Sequence, residues 1–397
     1  MAIVLRVLAC AALVVVAGGW TEPQVLEPKH TFSFAQDGNG AGERFLAWDS
    51  EDGIRVAVAR RGRAFGRPRV VPGPPGGGVQ VAADARGNAL IVWRYHDGSQ
   101  PPVPPGHSDI GCCNRVVASI LRADGRLTRA RTLSPRGLDA YKPRVAVAGD
   151  GRFALLGLPD RRVRFGWLRR GSFGRLETLP GHGYPLSVTF GRRYARVQYQ
   201  RRSREGEPEL GEVRRTGPSR YSRPRSIATK PFRQVAPFEF DARGRQLTLF
   251  AVPEGDAERN ELGIRSPPGE LRTMPLSPYQ WGPALALAPS GAALVAWSGQ
   301  VMQRGPNGEF GQPVPIDASG SALDAAAAPA GGGAVAYGSP FGVRVSVVDA
   351  NGKVLTSRGL PEASYSAGFT DVYADSRGTS AVWLEGTTER LLATRSP

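Results

Sequence analysis

A glycine stands six residues ahead of an aromatic at five places in this chain: Gly42/Trp48, Gly87/Trp93, Gly244/Phe250, Gly291/Trp297 and Gly331/Tyr337. Gly151/Gly157 keeps the interval without the aromatic, and Gly378/Trp383 is one residue shorter. In an eighth copy Arg193 takes the glycine position, six before Tyr199. The clearest copy runs from Trp281 to Ile316. Pro283 to Ala288 alternates small and apolar residues and reads as a first strand. Pro289-Ser290-Gly291 is a tight turn in which glycine supplies the positive φ, and Ala292 to Trp297 reads as a second strand. Val301 to Arg304 is a third, Gly305-Pro306-Asn307-Gly308 a turn, and Phe310 to Ile316 a fourth. Four strands in 36 residues leave no space for a crossover helix, so they pair antiparallel.

Fourth-strand marks recur at Phe65-Gly66-Arg67-Pro68, Phe173-Gly174-Arg175-Leu176, Tyr221-Ser222-Arg223-Pro224 and Phe310-Gly311-Gln312-Pro313. The copies fall at approximately 30–72, 78–134, 141–180, 184–228, 234–277, 281–317, 321–361 and 367–397. A spacing of roughly 40 to 50 residues is the period of propeller blades. The last copy stops at Pro397 after three strands, and residues 21–28 look like a stray fourth. Pairing the two chain ends closes a ring and removes an exposed edge. On these residues the chain resembles the β-propeller class with an N-terminal closing strand, in the manner of a secreted bacterial repeat protein. The resemblance covers residues 21–397 and is one of architecture. It implies an all-β fold, with a single domain over residues 20–397 made of eight four-stranded blades, or seven if the weak copy at 184–228 merges with a neighbour. Leu323 to Ala328 favours helix by propensity; by register it is the first strand of the seventh copy, and the repeat takes precedence.

Residues 1–19 stand outside the repeat. Arg6 precedes an apolar run from Val7 to Gly19 that ends in Ala17-Gly18-Gly19, the pattern of a secretory signal peptide and too short to span a bilayer comfortably. Acylation at Cys10 fits poorly, because more of the apolar run follows that residue than precedes it. The expected location is extracytoplasmic, with no transmembrane segment in the mature chain. That chain retains only Cys112 and Cys113. Adjacent cysteines cannot staple distant blades. In an oxidising compartment they form a vicinal disulfide, stay free, or pair with another chain, and the compartment favours the first.

The formal charge is +16, and 19 basic residues against six acidic ones fall between Asp160 and Arg233. Arg161, Arg162, Arg192, Arg193, Arg201 and Arg202 are candidate anion-binding residues for a cell-surface polymer. The plainer reading is a solvated face, partly self-neutralised by Glu205, Glu207, Glu209 and Glu212. Nucleic acid is the weakest partner, since an exported protein meets little of it.

In an up-and-down blade the loop between strands two and three shares a rim with the blade linkers, and the tight glycine turns occupy the other rim. His30 and His182 map to linkers on the loop-rich rim. His96, Asp97, His107 and Asp109 map to the long loop from Tyr95 to Asn114, with Asp49, Glu51 and Asp52 in the neighbouring blade. Such a set could hold a cation or do acid–base chemistry, although loops collect histidines by default. Tyr141, Tyr184, Phe232, Tyr279, Trp281 and Tyr365 gather where linkers enter first strands, either as stacking platforms or as packing wedges. Trp48, Trp93, Trp297 and Trp383 are expected in the core between blades. Asp84-Ala85-Arg86-Gly87 is similar to the Asp-box of sialidase-like propellers, but its glycine comes one residue late and the aspartate reads as a turn residue. There is no P-loop, dinucleotide fingerprint, GxSxG elbow or paired metal motif, and no cofactor is predicted. The expectation is an exported, non-catalytic binding or scaffolding propeller whose partner is a cell-wall polymer, a glycan or another exported protein. A glycan-acting hydrolase or lyase on the loop-rich rim is the alternative, with an anionic-polymer binder through the Arg-rich sector as a third reading.

Overall fold

The computed structural model describes residues 20–98, 113–136, 143–158, 162–180, 184–190, 195–202, 208–228, 233–234, 239–241, 243–254, 257–266, 271–276, 283–306, 308–316, 320–339, 342–361, 363, 370–375, 378–385 and 389–396. These form eight antiparallel sheets arranged as an eight-bladed propeller. Blade 1 is Phe34–Gly38, Arg44–Ser50, Gly53–Ala59 and Arg69–Val70, paired in that order, and the other blades repeat the scheme. The weak fourth copy is a blade of its own: Tyr184–Phe190, Ala195–Arg202 and Pro208–Gly217, with Arg220–Tyr221 and Arg225–Ala228 sharing the fourth position. Blade 8 takes three strands from the C-terminal end (Thr370–Asp375, Gly378–Leu384 and Leu391–Ser396) and its fourth from Gln24–Glu27. Gln24 lies opposite Ala393, Val25 opposite Leu392 and Glu27 opposite Leu391, so the ring closes by pairing its two chain ends.

The glycines that mark the repeat are turn residues for a physical reason. Gly42, Gly87, Gly151, Gly244, Gly291, Gly331 and Gly378 all have φ between 76° and 142°, where a side chain is strained. Acidic or amide side chains hold the same turns from inside. Asp84 Oδ1 accepts the N–H groups of Arg86 and Asn88, each at 2.9 Å, and Asp241 repeats that pattern, as does Asp349 in the turn between the third and fourth strands of blade 7. A Cβ on Gly291 would press on the Arg245 guanidinium and lie 2.8 Å from the Pro306 carbonyl oxygen. Gly291→Ala is therefore expected to cost about 1–3 kcal/mol. The midpoint of chemical denaturation measures this, and an unchanged midpoint would contradict the turn argument.

Hydrophobic clusters fill all eight junctions between blades. Aromatics near the ends of second strands supply their largest members, each packing against the preceding blade: Trp48 on blade 8, Trp93 on blade 1, Trp297 on blade 5 and Trp383 on blade 7. Blade 3 lacks that aromatic, and the fully buried Phe153 and Leu155 of its second strand fill the junction instead. Among the described residues, the junction between blades 4 and 5 has the smallest buried apolar set, Leu210, Ile227 and Phe250. A buried polar network supplements it: Arg265 donates to Glu212 (2.8 Å) and Gln246 (3.1 Å), while Gln198 donates to Glu212 (3.3 Å).

The segment with helical propensity is strand. Ser321–Ala327 pairs with the next strand, Ala325 lying opposite Val335. First strands crowd together at the centre of the ring, and Ala322 and Ala325 are small enough to pack against blade 6 there. Tertiary packing outweighs intrinsic preference at this position.

Candidate functional site

The described members of the loop-rich rim are tied to neighbouring structure. His30 stacks at a tilt on Phe32 with centroids 4.6 Å apart, and its Nδ1 meets the Glu389 carboxylate. His96 Nδ1 accepts the Gly98 N–H at 3.3 Å. Asp97 pairs with Arg115 at 3.3 Å, and Arg115 also donates to the Ser134 carbonyl at 2.9 Å. Asp49 accepts the Phe32 and Ser33 N–H groups and the Ser33 hydroxyl (2.7, 2.9 and 2.6 Å); Ser33 Oγ in turn accepts Gly78 N–H of blade 2 at 2.9 Å. Lys29 pairs with Glu51 at 3.1 Å. These groups fix linkers to blades. Among the described residues, no group of three or more His, Cys, Asp or Glu side chains forms a metal-ligand set.

His107, Asp109, Cys112, Tyr141, Arg161, His182, Arg192, Arg193, Phe232, Tyr279, Trp281 and Tyr365 lie outside the described residues. Cys113 is fully buried and disulfide-bonded. Arg201 spends its fork on Glu209, with two bonds of 2.8 Å. This pairing, followed by burial acting the other way, holds the Glu209 carboxyl below its ordinary range. Arg162 begins the third strand of blade 3 and Arg202 ends the second strand of blade 4.

The sequence reading missed a set of carboxylates on the first strands at the ring's centre. Asp324 of blade 7 accepts the Val372 N–H of blade 8 at 2.7 Å. Asp371 of blade 8 accepts the backbone N–H and side-chain amide of Gln36 in blade 1 at 3.2 and 3.1 Å. Asp37 of blade 1 accepts the Ala83 N–H of blade 2 at 2.7 Å. At three successive junctions, then, a carboxylate bonds the backbone of the next first strand in the same rotational sense. Burial among these strands pushes Asp37 up to about 6 and, with the Asp37 charge added, Glu239 of blade 5 up to about 7. Burial also raises Asp324, with the Asp371 charge adding to the rise, and raises Asp371, which hydrogen bonds to Gln36 and Asp324 partly hold back. Because backbone N–H groups of the next strand engage their oxygens, Asp37, Asp324 and Asp371 serve as latches between strands.

A cleft of about 350 Å³ opens between blades 3 and 4 on the rim of tight turns, opposite the rim that sequence reasoning favoured. Strand register builds its walls. Arg152 lies opposite Trp167, which lies opposite Ser172 in blade 3; Phe190 lies opposite Ala195, which lies opposite Arg215 in blade 4. Phe165 and Phe190 meet edge to face at 6.4 Å. The Arg215 guanidinium stacks over Phe165 at 4.2 Å, and that of Arg152 over Phe190 at 5.4 Å. Trp167 is 39% exposed, which is unusual for so large an apolar ring, and Arg170 lies over it at 5.8 Å.

Glu177 stands behind this cleft and receives Arg215 in two bonds (2.9 and 2.6 Å) and the Tyr221 hydroxyl (2.6 Å). Burial alone drives the Glu177 carboxyl up, but these bonds outweigh it and hold the group below its ordinary range. Arg152 pairs with Asp150 at 2.8 Å. The charged side chains lining the cleft are thus preset arginines. A legible clue existed in the alternation of aromatics with arginine at the strand ends Phe165 to Arg170, but only the register brings Phe190 and Arg215 to face them.

No family model matches the chain, and comparison with curated proteins finds no match. Solved structures are similar in shape. A catalytically inactive virginiamycin B lyase from Staphylococcus aureus, with quinupristin, superposes with a TM-score of 0.50 at 11% identity, over 82% of this chain and 96% of that one. The β-propeller domain of Cps50 (Swd1) from Myceliophteria thermophila gives a TM-score of 0.50 at 11% identity, over 96% of this chain and 100% of that one. At such identities the likeness is one of fold: the chain is built as these propellers are.

Proposed function

We propose that the protein is an exported, non-catalytic binding propeller, and that its ligand sits in the cleft between blades 3 and 4. The observation that carries this reading is the cleft itself. A partly exposed tryptophan, three further aromatic rings and two arginines pre-positioned by carboxylates line a space of about 350 Å³, within the range of small-molecule sites. Fixed rings and fixed guanidiniums bind without a large ordering cost. Aromatic rings and guanidiniums are the groups of a recognition surface. Export rests on the character of residues 1–19, and the expected partners are cell-wall polymers, glycans or other exported proteins. The Arg-rich-sector reading points to the same location, because blades 3 and 4 are that sector.

The test is an array of glycans, wall polymers and exported-protein peptides probed with the purified chain and with Ala195→Phe. Ala195 is 5% exposed and lies between Phe190 and Arg215, so phenylalanine there fills the cleft. Binding lost in this variant, with its stability retained, is the expected result. Binding that survives a filled cleft would place the ligand elsewhere.

A further inference from the structure

We infer that the cleft between blades 3 and 4 recognises a carboxylate-bearing sugar, such as a uronic acid in a short oligosaccharide; this rests on the reading that the cleft is the binding site. Three observations lead to it. Trp167 offers an exposed flat ring at the mouth, and the C–H face of a pyranose stacks on such a surface. Ser172 and Thr216 line the same cleft with hydroxyls, which match a ring carrying alternating apolar faces and hydroxyl groups. Arg170 lies over the Trp167 ring, and no carboxylate pairs with it among the described residues.

Charge decides between a neutral and an acidic ring. Arg152 and Arg215 are already neutralised by Asp150 and Glu177, so they can donate hydrogen bonds but add little net field. Among the described residues, the cation that lies directly over the stacking platform without a carboxylate partner is Arg170, with Arg122 and Arg169 at the adjoining turns. The charge seated over the aromatic face is the one that an acid group on a stacked ring meets, whereas a polyanion needs no stacking face. The volume agrees, lying near the lower end of small-molecule sites and sized for one or two sugar rings.

The test uses the full chain in calorimetric titrations with trigalacturonate, its methyl ester and inorganic polyphosphate. Trigalacturonate is expected to bind about tenfold more tightly than the ester, the factor of one charge-assisted contact. Arg170→Gln should remove that factor for the acid while leaving ester binding unchanged. Trp167→Ala should weaken both sugars by about threefold to tenfold. Equal affinity for acid and ester, indifference to Arg170→Gln, or polyphosphate competing as well as the acid would each overturn the inference. If neither sugar binds, the inference is also wrong; the broader reading then stands only if another array ligand is lost in Ala195→Phe, and falls if none is.

Discussion

Trp48→Ala is expected to lower the free energy of unfolding by about 3–5 kcal/mol, the cost of emptying a large aromatic from a close-packed core. The position makes the upper end of that range the expectation. Trp48 is fully buried and packs across the ring closure on Leu26, Val382, Leu391 and Ala393. Its indole N–H donates to Glu27 Oε2 at 3.3 Å, and Glu27, 1% exposed, also pairs with Arg55 at 3.2 Å. Removing the ring both opens a cavity and takes a donor from a buried carboxylate in the closing strand. A phenylalanine series separates the two effects. Trp93 and Trp383 donate to the linker carbonyls of Pro74 (3.0 Å) and Pro361 (3.2 Å), whereas the buried Trp297 indole N–H has no partner among the described residues. Trp93→Phe and Trp383→Phe should therefore cost about 1 kcal/mol more than Trp297→Phe. Urea titrations of the four variants check this, and equal costs for all the phenylalanine changes would remove the hydrogen-bond part of the argument.

The ring was legible because its punctuation is local. Each tight turn needs a positive φ, so glycine recurs at a fixed interval, and each junction needs a large ring, so an aromatic recurs six residues later. The closing strand was legible for the same reason, as residues 21–28 are the piece missing from the last copy. The site was not. Asp324 and Asp371 each stand seven residues before their turn glycine, whereas Asp37 and Glu239 stand five before theirs; the repeat thus aligns them in pairs, but that they meet follows only from the crowding of first strands at the axis. Phe165 and Phe190 are separated by a blade boundary, and Arg215 is two strands further on. Topology predicts which rim a residue occupies, and that much was read. Which facing side chains enclose a space depends on inter-blade register, which single-blade patterns do not encode.

The axial carboxylates make stability depend on pH in an unusual direction. Asp37, from an ordinary 3.8, is raised to about 6 and Glu239, from an ordinary 4.5, to about 7, with burial the main cause in both. For a carboxyl raised on folding, the native state keeps a proton that the unfolded chain has already released. The stability such groups permit is therefore complete below the unfolded values and declines as pH rises through about 4 to 7. On the acid side Glu177 and Glu209, both held low by arginine partners, lose their contribution as pH falls below about 4.5. A maximum near pH 5 follows, with a loss of about 2–4 kcal/mol by pH 8; the full shifts imply more, but these half-buried side chains keep some water contact. Positive self-repulsion in a chain of net charge +16 works against the gain at low pH, so wild type alone is an imperfect gauge. Glu239→Gln isolates the effect, since the change leaves overall charge nearly constant. At pH 8 this variant should exceed wild type by about 1–2 kcal/mol, and at pH 4 the two should coincide. Chemical denaturation across pH 4 to 8 measures both curves. A wild-type stability that climbs from pH 5 to 8, or a Glu239→Gln offset equal at both ends, would show that these carboxyls are ionised in the folded ring and that the latches at its centre are charged.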